Sequence, residues 1–164
     1  MCKGMAGYEK NGFTMTELMV VIAIFSILAV TIILNVKNMR AAWGLNTATR
    51  NMLADFNLAK SYAVKEGINC VLQFTSDGYH VFLDKNESFT MDSGETEYKT
   101  VKWSDFSGGL SGSNNFSSNT VAYRPQGFTA APGGGFGGGT VTISNELGTQ
   151  HKVIVSAFGT VRIE

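Results

Sequence analysis

A run of 17 residues without a charge, Leu18 to Leu34, constrains this chain more than any other feature. Only Ser26 and Thr31 interrupt its apolar character. With its flanks the segment covers residues 13–36. At about 1.5 Å of rise per residue, a helix of this length just crosses a hydrocarbon core of about 30 Å. A helix that is apolar all round must be buried, in lipid or among other apolar helices. Lys3 and Lys10 precede the run and favour a cytoplasmic N-terminus, a signal that Lys37 and Arg40 beyond it weaken.

An ordinary secretory signal would need a small-residue cleavage site after its apolar core, and Ala29-Val30-Thr31 makes a poor one. A plain signal anchor explains the length but not Glu17, which sits five residues into the segment counted from Phe13. A carboxylate at membrane depth costs about 2.5–3.5 kcal/mol on an insertion scale, less near the interface, and residues of this kind usually have a partner. The natural partner is a cation from another subunit.

Gly12-Phe13-Thr14-Met15-Thr16-Glu17-Leu18 resembles the class III signal of type IV pilins and type II secretion pseudopilins. That resemblance implies that residues 1–12 are a leader, cut after Gly12 by a prepilin peptidase on the cytoplasmic side. It implies N-methylation of the new terminal Phe13. It implies that Glu17 pairs with the N-terminal amine of a neighbouring subunit. The sequence departs from the pattern at Leu34, where many members carry a proline.

The helix is expected to continue past the membrane, because residues 35–66 hold no proline and a single glycine, Gly44. Leu45, Thr49, Met52, Phe56, Ala59 and Ala63 recur at steps of four and three, one stripe of an amphipathic helix, with Arg40, Arg50, Asp55 and Lys65 assigned to other faces. Gly67 reads as the C-terminal stop. The pattern then turns to period two. Strands are expected over 70–74, 79–83, 98–103, 120–124, 140–144, 152–156 and 160–163, the first two and the last two joined as hairpins. Residues 84–97 read as an acidic loop, and 107–119 and 131–139 as flexible glycine-containing loops. The outcome is an α+β protein in which a long N-terminal helix packs on an antiparallel β-sheet head. Its expected divisions are leader 1–12, transmembrane or filament-core helix 13–36, amphipathic helix 37–66 and head 67–164.

Three stretches of the head bring the resemblance closer to the GspH/FimT branch of minor pseudopilins: Asp55 to Ala63, Val121 to Gly127 and Val153 to Ile163. With the class III signal, this implies a pilin-like fold. Removal of the leader would take Cys2 with it, leaving Cys70 unable to form an internal disulfide, whereas major pilins often carry a C-terminal disulfide loop. Cys70 reads as a small buried strand residue.

No catalytic constellation accompanies His80 or His151, and no cofactor or metal site is expected. The acidic residues Asp84, Glu87, Asp92, Glu95 and Glu97 do not match a calcium-loop spacing and read as a solvated loop. GGGFGGG lacks the lysine and helix of a phosphate loop. Charged residues are only 16% of the chain and the formal net charge is zero. Lys99, Lys102, Arg124, Lys152 and Arg162 are scattered, so composition argues against nucleic acid as a partner. The expected function is a non-enzymatic minor pseudopilin of a type II secretion system, or alternatively a minor pilin of a type IV pilus. The expected partners are the prepilin peptidase, other pseudopilins or pilins, an inner-membrane assembly platform and the membrane. The expected location is the inner membrane, single-pass, with the head in the periplasm.

Overall fold

The structure is a computed structural model that describes residues 12–164, apart from the side chains of residues 30–35. The expected leader falls almost wholly outside the described residues. One helix, α1, runs from Met15 to Glu66 and ends as Gly67 turns to φ +69°, its N–H donating to the Ala63 carbonyl at 3.1 Å. The described residues divide into two compact units, one ending at Val36 and one of residues 37–164.

In the second unit, α1 lies against a head of nine strands. They are β1 (Asn69–Phe74), β2 (Gly78–Asp84), β3 (Thr96–Lys102), β4 (Ser111–Asn114), β5 (Thr120–Tyr123), β6 (Thr129–Ala130), β7 (Gly139–Ser144), β8 (Gln150–Val155) and β9 (Val161–Ile163). The expected single sheet is two: a five-stranded sheet ordered β3-β2-β1-β5-β6 and a four-stranded sheet ordered β4-β7-β8-β9. All pairings are antiparallel, and both expected hairpins form, Phe74 opposite Tyr79 and Val155 opposite Val161. Thr129 ties the sheets together, its N–H and hydroxyl both donating to the Ala157 carbonyl.

The six-residue stripe predicted on α1 is buried throughout. Its five apolar members meet Leu72, Phe74, Tyr79, Val81 and Tyr123 of the first sheet and Val141, Ile143, Val153 and Val155 of the second in one cluster. Phe56 is its aromatic centre, with ring centroids 6.3 Å from Phe74 and 6.5 Å from both Phe116 and Tyr123. Truncating a buried Phe of this kind to Ala costs about 3–5 kcal/mol.

Asp55 departs from the expectation. It lies three residues from Met52 and four from Ala59, so it shares the buried face and is only 3% exposed. Two partners make that burial tolerable. Its Oδ2 accepts the Tyr79 hydroxyl at 2.7 Å, and its Oδ1 accepts Lys99 Nζ at 2.6 Å. The register of β2 on β3 slips between Val81 and Phe82, which face Lys99 and Glu97, leaving Tyr98 as the extra residue of a bulge. The bulge lets Tyr98 and Lys99 both turn to α1, where Tyr98 stacks on Tyr62 at 4.1 Å.

The expected flexible loop 107–119 contains β4, which pairs with β7 from Ser111↔Ser144 to Asn114↔Val141. Ser, Gly and Asn carry no alternating apolar signal, yet their backbones complete the ladder. The acidic loop is likewise more built than expected. Asp84 is buried, its carboxylate accepting the N–H groups of Ser88 at 3.1 Å and Phe89 at 2.9 Å. Phe89 is thereby held at φ +60° against Val71, Phe82, Ala122 and Ala130. Both faces of the first sheet are therefore covered, which accounts for the near-continuous apolar run Cys70–Phe74.

Candidate functional site: the start of the helix

Gly12, Phe13 and Thr14 precede α1 in non-helical conformation, and Glu17 lies in its first turn. Thr14 is the N-cap: its hydroxyl accepts the Glu17 N–H at 3.2 Å, while its carbonyl accepts the Leu18 N–H at 3.1 Å. This residue was missed at the sequence level, although Thr14-x-x-Glu17 is the capping-box pattern that announces a helix start. The cap fixes where the helix begins, two residues after Phe13, and so sets the offset between Phe13 and Glu17. Phe13 is 77% exposed, and open space surrounds Gly12. Glu17 is exposed and makes no ion pair among the described residues. The positive end of the helix dipole favours a carboxylate at this position but leaves it free for another cation.

Beyond Glu17, Leu18, Met19, Val20, Ile22, Ile24, Phe25, Ile27 and Leu28 are all exposed. These positions go round the helix, so no single face could hide them. Apolar surface of this extent marks a partner or a membrane. Among the described residues, no helix is long and apolar enough to cross a membrane. The expected span 13–36 includes side chains 30–35, which lie outside the described residues.

The other candidates have local duties. Cys70 is buried, and that burial pushes its thiol up to about 12. His80 Nδ1 lies 2.8 Å from Glu97 Oε1 and 3.0 Å from the Thr100 hydroxyl, which also donates to Glu97. The hydrogen bonds from His80 and then Thr100 hold the Glu97 carboxyl below its ordinary range. Lys99, counted among the scattered basic residues, is committed to Asp55. Among the described residues, no group of three or more His, Cys, Asp or Glu side chains is placed to hold a metal ion.

Comparison with known proteins matches these parts in order. The model of the prokaryotic N-terminal methylation motif matches residues 9–33, which contain Gly12, Phe13 and Glu17. The model of the type II transport protein GspH matches residues 48–159, more than half of the chain. Among solved structures, the fold is similar to the minor pseudopilin EpsH from the type 2 secretion system of Vibrio cholerae, at TM-score 0.53 and 12% identity, over 73% of this chain and 95% of that one. It is equally similar to the type IV minor pilin FimU of Pseudomonas aeruginosa, at TM-score 0.53 and 16% identity, over 73% of this chain and 87% of that one. No curated protein sequence matches. The pilin-like fold is thus present, and with a family model spanning the head, the chain belongs to the GspH family of pseudopilins.

Proposed function

We propose that this chain is a minor pseudopilin of a type II protein secretion system, a structural subunit without catalytic activity that joins a short periplasmic filament supporting protein export. The observation that carries the choice of machine is the match of the GspH model to residues 48–159. The FimU likeness supports a second reading, a type IV minor pilin, on the same fold.

In this reading residues 1–12 are a leader that a prepilin peptidase removes between Gly12 and Phe13, with N-methylation of Phe13. Residues 13–36 anchor the subunit in the inner membrane as a single pass, with the head in the periplasm. Extraction by the inner-membrane assembly platform moves the exposed apolar helix from lipid to the company of neighbouring helices, so the apolar surface never meets water. Glu17 gives this exchange its register. A carboxylate and a free α-amine attract strongly at low dielectric, and leaving one without the other is the costly state. The Thr14 cap supports the role because it starts the helix at a fixed distance from the new N-terminus.

Deletion of the gene, scored for both secretion and twitching, tests the machine: loss of secretion alone is expected, and loss of twitching alone overturns the assignment. Mass spectrometry of membrane-bound Gly12→Val is expected to find a precursor heavier by residues 1–12. Glu17→Ala is expected to insert in the membrane but fail to enter filaments, and normal incorporation would remove the proposed role of its charge.

A further inference from the structure

A cavity of about 640 Å³ opens in the head where α1 gives way to β1. Its size falls in the range of small-ligand sites, about 300–1,000 Å³. Asn69, the first residue of β1, lines it. This residue is only 7% exposed, and its side-chain amide makes no hydrogen bond among the described residues. Its polar atoms are not sealed into the core, and the residue lines the cavity. A primary amide held there offers two donors and an acceptor, the pattern that complements a peptide group.

Two cations share the wall. Lys85 and Arg124 are exposed, and neither has an acid within ion-pair distance among the described residues. Arg124 offers the planar fork that suits a carboxylate. The acids on the wall differ from each other. Both oxygens of Asp84 are occupied by backbone N–H groups. Glu87 makes no ion pair among the described residues and is held at φ +59° on the rim. Gly133 and Gly134 also line it, at φ +91° and +94°, with open space where side chains would project. A chain could lie close to the backbone there.

We propose that this cavity binds an acidic segment of a partner polypeptide, its carboxylate on Arg124 and Lys85 and a neighbouring peptide group on the Asn69 amide. Among the described residues, two unpaired cations against one unpaired acid, Glu87, select this class, since the Asp84 carboxylate already holds two N–H donors. A bare inorganic anion would meet Glu87 and the charge of Asp84, whereas a polypeptide brings N–H donors beside its carboxylate and satisfies both signs at once. The cavity uses nothing from residues 12–36, so the inference stands apart from the reading of filament assembly.

The test uses the full chain in detergent micelles and a short fluorescent peptide of alternating glycine and aspartate, followed by anisotropy. Saturable binding that weakens with added salt is expected. An alternating glycine–asparagine peptide should not bind. Arg124→Gln, an exposed substitution that leaves the fold alone, and Asn69→Ala should each weaken binding about tenfold or more, the effect of losing one well-made contact. The proposal is overturned by no saturable binding of the aspartate peptide or by equal binding of the asparagine peptide. Unchanged affinity in Asn69→Ala would reduce the effect to general surface charge. Displacement by inorganic phosphate as readily as by excess peptide would make it a small-anion site.

Discussion

Replacing Lys99 by Met leaves Asp55 buried with the Tyr79 hydroxyl as its remaining partner, and the structure predicts an asymmetric result. The Asp55 side chain is 4% exposed and that of Lys99 is 40% exposed. A lysine left alone can turn to water, but the carboxylate cannot. Stranding a buried charge costs about 3–5 kcal/mol, and the half-open position of Lys99 places Lys99→Met near the lower end, about 3 kcal/mol. Asp55→Asn keeps an acceptor for Tyr79 and removes the charge, so its cost is about 1 kcal/mol, one net hydrogen bond. In the double variant the stranded charge is gone, and the total should return to about 1 kcal/mol. The coupling between the two sites is then about 3 kcal/mol, at the upper limit for residues in contact. Thermal unfolding of the full chain in detergent reads this out through Trp103, whose ring lies 5.9 Å from that of Tyr79. At about 2–4 °C per kcal/mol, Lys99→Met should lose about 6–12 °C and the double variant should recover most of it. A double variant no more stable than Lys99→Met alone would refute the reasoning, because the cost would then belong to the lost lysine packing and not to the isolated carboxylate.

Three further outcomes follow from other sites. A side chain at position 44 would bring its Cβ to 1.7 Å from the Ser107 carbonyl oxygen, so Gly44→Val should cost about 1–3 kcal/mol and release hydrogen-exchange protection around Ser107 and Gly108. In a chain lacking residues 1–12 and so Cys2, Cys70, buried with its thiol pushed up to about 12, should resist maleimide in the native state and react fully after denaturation, and fast native labelling would contradict its placement. The Glu97 carboxyl is held below its ordinary 4.5 by His80 and then Thr100. Its contribution is therefore present above pH 4.5 and disappears as pH falls through the lower native value, a slope that a Glu97→Gln titration of stability should lack.

Periodicity revealed the elements whose residues alternate strongly. The α1 stripe from Leu45 to Ala63 and the Cys70–Phe74 strand were legible because each buries apolar side chains at its own repeat. Asp55 was not legible, since a charged residue on a core face makes sense only with Tyr79 and Lys99, which arrive from 24 and 44 residues away. The strand β4 was hidden because its pairing uses backbone groups of Ser, Gly and Asn. The division into two sheets is set by which strands pair over long distances, which no local pattern encodes. At the candidate site the Gly12-Phe13-Glu17 spacing was plain, whereas the Thr14 cap was written in the sequence and passed over. The cavity beside Asn69 draws its walls from four separated segments and had no linear signature.

The strand order β3-β2-β1-β5-β6 carries a consequence for how the chain reaches its native state. The β1–β2 hairpin closes locally, but the other edge of β1 waits for Tyr123 to meet Cys70, more than fifty positions downstream. Until then Cys-Val-Leu-Gln-Phe presents an apolar strand with an open row of backbone donors and acceptors, the usual template for intermolecular pairing. The delay is topological, because loop closure over that distance precedes the contacts that reward it. Subunits released in quantity, or carrying a weakened β5, would therefore be lost to self-association before any defect in the finished fold could show.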